Sequence, residues 1–291
     1  MRLLTIFIIM NKHYIFYDLE TNGLDYYTTG IMQISMIDAN GKVLLNQYAY
    51  PFNNKIDGTA IHGIDEQKLA DNNAINSQDL CVLIKNTIRE NYGRDDVYLI
   101  AYNNFGYDQI ILENNFKMCN IKIPNNWYFI DLCPIIKEVY PLMKPNYKLS
   151  TVFAHICGKD DSINFHCALA DTQCMYKIFK SIENIPGFND YLLPKYTRAL
   201  LQSYDINRSP ISSLNGYNKY TNFEAKNIFT IGDLYNVYMS CYYDNKDFEF
   251  LLRNRYYMNN NYYISNIIKQ MEVIRYFSTI QLNKHRLHSS F

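Results

Sequence analysis

The spacing of apolar residues along the chain alternates between the pattern of strands and that of helices. Apolar runs predict three strands in the first part of the chain, at residues 14–19, 31–37 and 42–50. The tight-turn pair Asn40 and Gly41 separates the last two, which predicts an antiparallel meander. Two shorter apolar runs predict further strands at residues 96–102 and 129–132.

Helical spacing fills most of the sequence between and after these strands. It predicts helices at residues 65–69, 77–91, 106–116, 134–140 and 149–157. Asp171, Met175 and Ile178 share one helical stripe, which predicts a further helix that ends at about residue 179. Strands and helices therefore alternate over this part of the chain, and the pattern indicates an α/β fold.

The last third of the chain has a different pattern. Pro186, Pro194 and Pro210 interrupt residues 184–227, where we expect a helix at Tyr196–Tyr204 and a linker rich in Ser and Asn. Thr230 and Asp233 form a capping-box pattern that opens a helix to about residue 242, and another helix is expected at residues 265–276. We expect four regions: an N-terminal extension at 1–9, the main domain at 10–185, a connection at 186–225 and a helical accessory domain at 226–291.

The composition is that of a globular protein, and its charge is unevenly distributed. Of 291 residues, 48% are hydrophobic and 19% are charged, which argues against disorder. The formal net charge is zero, but residues 1–185 hold 16 basic and 20 acidic residues, whereas residues 186–291 hold 12 and 8. The C-terminal third is therefore the better candidate for contacts with phosphate groups.

The cysteines and the N-terminus bear on location. Seven cysteines without a CxxC pair favour a reducing, intracellular compartment, the cytoplasm or the nucleus at a replication site, and not secretion. The first ten residues resemble a meagre signal peptide, but cleavage after them would cut into the strand at 14–19, and Met10 is an alternative start. No segment approaches the length of a membrane span, so no membrane partner is expected.

Two acids end the first predicted strand. Asp18 and Glu20 project from the same face of that strand, roughly 6–7 Å apart, because side chains alternate along it. Like charges at this separation repel, and a divalent cation beside them removes the conflict. The alternative is a strand end that turns into solvent, where paired acids are common.

Two more acids lie near helix starts, each on an apolar stripe. Asp108 shares a stripe with Ile111 and Phe116, and Asp171 lies on the helix described above. An aspartate in a first helical turn also complements the helix dipole, which is the structural alternative. His166 precedes Asp171 by five residues; a lone histidine is usually only a satisfied polar residue, but this one lies beside an acid.

This series of residues resembles the DEDDh, or DnaQ-like, class of 3′-to-5′ exonucleases. The resemblance runs from about Tyr14 to Ile182 and depends on four segments: Asp18-Leu-Glu-Thr with Gly23-Leu24, Ile61-His-Gly-Ile64, Asn103-Asn104 before Asp108, and His166-Cys-Ala-Leu-Ala-Asp171. The sequence departs from the family pattern at Tyr107, where Phe is usual, and at Asn22, where many members have Thr. The first change is conservative, and the second affects how the 3′ end is held.

The resemblance implies a ribonuclease H-like domain, with a mixed central sheet flanked by helices, followed by a smaller, mostly helical region. It implies two Mg²⁺ ions, with Mn²⁺ as a substitute, bound by Asp18, Glu20, Asp108 and Asp171, and His166 as the general base. Asp18 would bridge both ions, Glu20 and Asp171 would serve the ion that holds the nucleophile, and Asp108 the other. The implied substrate-binding residues are Leu19, Thr21, Asn22, Leu24, His62 and Asn104.

The implied function is metal-dependent hydrolysis of phosphodiester bonds from the 3′ end of single-stranded or frayed nucleic acid, with DNA slightly favoured over RNA. RNA trimming and a catalytically silent nucleic-acid-binding module of the same fold are the alternatives. Residues 226–291 faintly resemble helix-hairpin-helix nucleic-acid-binding domains. They are otherwise an accessory domain that packs on the exonuclease or on a protein partner.

Overall fold

The predicted strands form one mixed sheet. The computed structural model describes residues 12–26, 28–201, 223–228 and 230–288. Its strands are β1 (Lys12–Thr21), β2 (Ile31–Asp38), β3 (Val43–Tyr50), β4 (Ile75–Asn76), β5 (Asp96–Ala101), β6 (Trp127–Asp131) and β7 (Thr197–Arg198). In the described part of the chain they lie in the order β4-β3-β2-β1-β5-β6-β7.

The pairing confirms the predicted meander. β1 pairs antiparallel with β2, and β2 with β3. β5 lies parallel to β1, and β6 parallel to β5. β1 is therefore central, and only its first part is covered by β5, since their paired register ends at Phe16 and Ile100. The rest of β1, which includes both strand acids, extends beyond that pairing.

The predicted helices of the first part of the chain are confirmed with shifts of a few residues at their ends. They are α2 (Glu66–Asp71), α3 (Ser77–Tyr92), α4 (Asp108–Met118), α5 (Leu132–Val139), α6 (Leu149–Ile156) and α7 (Ala168–Ile182). The sequence did not predict the single-turn helix α1 (Thr59–His62) that precedes them. A short 3₁₀ turn at Asn104–Gly106 precedes α4. The mixed sheet flanked by helices confirms the predicted fold class.

Helices cover both faces of the sheet. Phe16, Ile100 and Ile130 lie in one register across β1, β5 and β6 and belong to a buried core with residues of α7. Phe16 contacts Phe179 of α7 edge to face, with ring centroids 5.1 Å apart. On the opposite face Phe116 of α4 packs against Trp127. The two helices that carry the predicted helix acids are thus held on opposite sides of β1.

The helix predicted at Tyr196–Tyr204 is wrong. The short helix α8 (Leu193–Lys195) ends just before this range. Thr197 and Arg198 form β7, which pairs antiparallel with Ile130 and Phe129 of β6. The free edge of β6 supplies hydrogen-bond partners that a local sequence pattern cannot reveal, and a β-branched Thr suits a strand. Residues 202–204 lie outside the described residues.

The chain divides into two compact units, Met1–Ala199 and Leu200–Phe291. Residues 186–199 belong to the first unit, because Phe188, Leu192 and Leu193 are buried in its core. The predicted extension at 1–9 and most of the predicted linker, residues 202–222, lie outside the described residues.

The described part of the second unit is helical, as predicted. Its helices are α9 (Ile231–Ser240), α10 (Asn245–Asn254) and α11 (Asn261–His288). The capping box at α9 is present, since Asp233 accepts from the Thr230 amide at 2.8 Å and Thr230 accepts from the Asp233 amide at 3.1 Å. The sequence did not predict α10, although its buried Phe248 and Leu252 have helical spacing. These helices enclose a separate core.

Two further expectations concern the whole chain. All seven cysteines are free thiols. Within the described residues, no helix combines the length and the apolar character that a membrane span needs.

Candidate active site

Three of the predicted metal ligands meet beside the end of β1. Asp18 and Glu20 lie on the same face of the strand as Phe16, which is the face that α7 covers, and Asp171 lies in the first turn of α7. One carboxylate oxygen from each of the three acids lies within 4.8 Å of those of the other two. Residues that are up to 153 positions apart in the sequence therefore form one cluster of acids.

The fourth predicted ligand, Asp108, lies next to this cluster. It is the first residue of α4, is almost fully buried, and receives hydrogen bonds from its own backbone amide and from that of Leu19. The Leu19 amide is available because the paired register of β5 with β1 has already ended. After burial, the charge of Asp108 is the largest cause of the raised pKa of Asp18.

The acids repel one another strongly. Burial, and then the charges of Asp108, Asp171 and Glu20, raise the pKa of Asp18 well above its usual range. Burial and the charge of Asp171 raise the pKa of Glu20 to about 7, against a smaller lowering by Lys68. Burial also raises the pKa of Asp171 to about 6. A divalent cation between these groups would remove the repulsion.

The donor set fits a divalent cation that prefers oxygen. Oδ1 of Asp171 is buried and has no hydrogen-bond partner, whereas Oδ2 accepts from the backbone amide of His166. A buried carboxylate oxygen without a partner is costly in a protein unless a ligand completes it. Carboxylate oxygens are the ligands that Mg²⁺ and Mn²⁺ prefer. The predicted metal-binding acids therefore form a site of suitable chemistry.

His166 is at the edge of this cluster. Its side chain is exposed, and its backbone has a positive φ of 65°. Its amide donates to Asp171 at 3.1 Å. The sequence predicts that His166 lies just before the helix, and α7 indeed begins two residues later at Ala168.

A cleft of about 330 Å³ opens beside Glu20 and contains three of the predicted substrate-binding residues, Thr21, Leu24 and His62. Leu24 is 80% exposed, which suits a surface that a nucleotide covers. The remaining residues that line the cleft come from three segments. Gly23 follows β1, Gly58 and Ile61 come from the loop before α1 and from α1 itself, and Asn103, Gly106 and Tyr107 come from the turn before α4.

His62 is held in a neutral form in the wall of this cleft. Its Nδ1 accepts a hydrogen bond from the Ile64 amide at 3.1 Å, so the ring proton is on Nε2. Burial lowers the pKa of His62. Gly58 has a positive φ of 81°, and a Cβ there would lie 2.7 Å from Nε2 of His62. The close approach therefore requires glycine, a requirement that the sequence pattern did not reveal.

The other three predicted substrate-binding residues have buried side chains: Leu19, Asn22 and Asn104. Asn104 is fully buried, donates to the carbonyls of Leu99 and Ile130, and accepts from the Tyr17 hydroxyl. This structural role at the sheet end is not the predicted contact with substrate, and Asn103, its neighbour, lines the cleft instead.

Asn22 is used in a similar way. Its amide nitrogen donates to Asn53 and to the carbonyl of Lys55, and its oxygen accepts from the Gly30 amide. Every polar atom of the side chain is thus engaged in holding the surrounding loops. The buried side chains of Leu19 and Asn22 are therefore used in packing and in holding these loops.

Tyr107 has a function that the sequence did not predict. Its hydroxyl hydrogen-bonds the Gly23 carbonyl and the Thr21 hydroxyl, both at 2.5 Å. Thr21 and Gly23 line the cleft, so the hydroxyl that distinguishes Tyr107 from the usual Phe fixes the cleft wall. The only signal in the sequence is the departure from the family pattern, and on sequence grounds alone Tyr in place of Phe is a conservative change.

Comparisons with known proteins identify the family of this chain. The family model described as exonuclease matches residues 15–179, which span all five predicted catalytic residues. A curated relative, the exonuclease DPD1, chloroplastic/mitochondrial, of Arabidopsis thaliana, is 26% identical over 175 residues. The match covers 57% of this chain and 54% of the relative, so the chain spans about half the length of that protein.

Two solved structures of exonuclease I have the same fold. One, whose structure suggests how processivity is achieved, has a TM-score of 0.54 at 19% identity, over 63% of this chain and 44% of the other. The zinc-bound form of the E. coli ExoI complex with single-stranded DNA has a TM-score of 0.53 at 19% identity, over 63% of this chain and 43% of the other. The family match, the acid cluster and the shared fold together place the chain in the exonuclease family, in its DnaQ-like, 3′-to-5′ class with a ribonuclease H-like fold.

Proposed function

We propose that the chain hydrolyses phosphodiester bonds from the 3′ end of nucleic acid and depends on two divalent metal ions. The observation that carries this proposal is the convergence of Asp18, Glu20 and Asp171 within 4.8 Å, with Asp108 beside them. A silent binding module has no need of four mutually repelling acids, because their repulsion opposes folding unless cations neutralise it. We therefore favour catalysis over that alternative.

Mg²⁺ is the proposed ion, with Mn²⁺ as a substitute, because all the ligands are carboxylates. Asp18 would bridge the two ions, Glu20 and Asp171 would hold one and Asp108 the other. Such a pair supplies charge neutralisation at the phosphoryl group and at the attacking and leaving oxygens. The zinc in the similar ExoI complex with single-stranded DNA supports a divalent ion in this fold.

The side chains around the cluster would position the reactants. His166 lies at its exposed edge, where an imidazole can take the proton from an attacking water. The cleft walls formed by Thr21, Leu24 and His62 would hold the terminal nucleotide, and Leu24 would pack against its base. The buried, neutral His62 would form part of this wall without adding a charge to it.

DNA is the slightly favoured substrate, and RNA is the alternative. The single-stranded DNA bound in the similar structure supports DNA. We also propose that residues 226–291, as an accessory region, bind nucleic acid or a protein partner. The reducing location is supported by seven free thiols, while the relative's name assigns that protein to chloroplasts or mitochondria.

The test is digestion of 5′-labelled single-stranded DNA and RNA of the same sequence, side by side, in Mg²⁺, Mn²⁺ or excess chelator. We expect progressive shortening from the 3′ end with release of nucleoside 5′-monophosphates in either metal and none in chelator. Asp18→Asn should be inactive, and Asp161→Asn, an exposed acid outside the cluster, should be active. Robust cleavage in chelator, or shortening from the 5′ end, would refute the proposal.

A further inference from the structure

Three tyrosines form a ladder across the sheet, away from the acid cluster. Tyr14, Tyr98 and Tyr128 lie in one register on β1, β5 and β6, so their side chains share a face. The Tyr98 and Tyr128 rings are stacked, with centroids 5.0 Å apart and planes at 20°. The Tyr14 ring lies next to the Tyr98 ring, with centroids 5.5 Å apart. All three side chains are only half-buried.

A cavity of about 340 Å³ opens against this ladder. That volume is at the lower end of the range of about 300–1,000 Å³ that small-molecule sites occupy. Its walls are mainly apolar and aromatic, with a few polar groups at the rim, which is the usual composition of a ligand site. Besides the tyrosines, the lining includes Lys12, Asn189, Arg198 and Ala199.

The ladder lacks a fourth ring at the place where the cavity lies. β7 pairs antiparallel with β6 at Phe129 with Arg198 and at Ile130 with Thr197. One further step in this register sets Ala199 opposite Tyr128, and both residues line the cavity. A methyl group in place of a ring leaves one face of Tyr128 accessible to a planar ligand. The space is therefore suited to an inserted aromatic ring.

A cation and an amide lie at the rim of the same space. The ammonium of Lys12 is 5.7 Å from the Tyr98 ring centroid, and its side chain is exposed. Asn189 is also exposed and can donate and accept hydrogen bonds. Arg198 lines the cavity too, but its guanidinium lies 3.8 Å from the ring centroid of Phe105. Lys12 is thus the better placed cation for a phosphate.

We propose that this cavity binds a base of a single-stranded nucleic acid by stacking on Tyr128, with Lys12 at the adjoining phosphate. Aromatic stacking combined with a nearby cation is how proteins hold single strands without reading their sequence. Tyr14 and Asp18 lie four residues apart on one face of β1, about 13 Å along the strand, so the cavity is separate from the acid cluster. The choice of a nucleic acid as the ligand rests on the proposed function.

The test uses the full chain and a 12-nucleotide single strand with hydrolysis-resistant 3′ linkages, titrated by fluorescence anisotropy. Tyr128→Leu removes the stacking face, and Ala199→Phe fills the cavity without removing a tyrosine. We expect each to weaken binding by about fivefold to a hundredfold, which is the range for one lost stacked base. Tyr191→Leu is the matched control, because Tyr191 is 57% exposed and lies outside the cavity. Hydrolysis of a dinucleotide should be unchanged in all three variants.

Photo-crosslinking of the unmodified protein tests the same site without any substitution. Strands with 5-iodouracil at successive positions should crosslink to the peptide that contains Tyr128. The inference would be overturned if both cavity variants bound the strand with unchanged affinity. It would also be overturned if none of the iodouracil positions gave a crosslink to a peptide that contains one of the three tyrosines. If the strand binds through Tyr128 but no hydrolysis is detected, the proposed function fails and the inference stands.

Discussion

The backbone amide of His166 donates to Oδ2 of Asp171 at 3.1 Å, and so the main chain joins the proposed general base to a proposed metal ligand. This bond does not depend on the imidazole. It does depend on the left-handed conformation of His166, whose φ is 65°. Asparagine tolerates that conformation better than most residues, so His166→Asn can remove the imidazole while the backbone keeps its place.

We predict that His166→Asn lowers turnover by about 10²–10⁴-fold, the usual contribution of a general base. Its affinity for Mg²⁺ should remain within about twofold, because the bond to Asp171 is kept and the imidazole is not a ligand. Single-turnover rates and a Mg²⁺ titration measure the two effects. His155→Asn, an exposed histidine on α6, is the control. Equal losses of rate and metal affinity would mean that His166 is a ligand.

We predict that Asp18→Asn raises the melting temperature of the metal-free protein. The pKa of Asp18 is raised by burial and by three neighbouring acids, so its charge opposes folding when no cation is present. The amide has nearly the same volume and no charge. Melting curves in excess chelator at pH 8 check this, with Asp161→Asn as the exposed control. A variant that melts at or below the wild type would show that the repulsion is relieved in another way.

We predict that the metal-free protein loses stability as the pH rises from about 4 to about 7. The pKa values of Asp171 and Glu20 are raised to about 6 and about 7 in the folded protein, against about 4 in an unfolded chain. The folded state therefore holds protons that the unfolded state has released, and this stabilisation is lost as those groups ionise.

Urea unfolding at pH 5 and pH 8, with and without Mg²⁺, measures this dependence. Mg²⁺ should stabilise the protein more at pH 8, because it binds the ionised acids. Glu20→Gln should flatten the metal-free profile. A metal-free protein that is more stable at pH 8 than at pH 5 would contradict the assignment.

We predict that Tyr107→Phe raises the KM for short substrates with little change in kcat. The variant loses hydrogen bonds to Thr21 and to the Gly23 carbonyl, each worth about 0.5–1.5 kcal/mol, and so loosens the cleft wall. A rise in KM of about threefold to tenfold is expected. Tyr102→Phe is the matched control, since its hydroxyl bonds the Tyr147 carbonyl outside the cleft. Equal effects of both substitutions would indicate a general loss of stability.

We predict that deletion of residues 226–291 weakens binding to long strands and flattens its salt dependence. Each lost phosphate contact should reduce the slope of log affinity against log salt by roughly 0.7 for single strands. Hydrolysis of short oligonucleotides should be nearly unchanged, because the deleted residues belong to the second unit and the acid cluster to the first. A folded truncated protein with an unchanged slope would assign this segment to a protein partner or a structural role.

The sequence by itself determined which residues are the candidates for the chemistry. Period-two alternation sets Asp18 and Glu20 on one face of a strand, and helical spacing sets Asp108 and Asp171 near the starts of two helices. These are local rules that depend on neighbours within a few residues. They also predicted the meander and the capping box at Thr230, because turn and cap signals are local as well.

Only the tertiary structure decided which polar side chains face the cleft. Asn103 and Asn104 are adjacent in sequence, yet Asn103 lines the cleft while Asn104 is buried between the ends of β5 and β6. Thr197 and Arg198, where the sequence predicts a helix, form a strand for a similar reason, since the edge of β6 is available to pair with them. In both cases the hydrogen-bond partners come from other segments of the chain. Leaving a buried polar group unpaired costs more free energy than a local secondary-structure preference can supply, so the tertiary contacts decide.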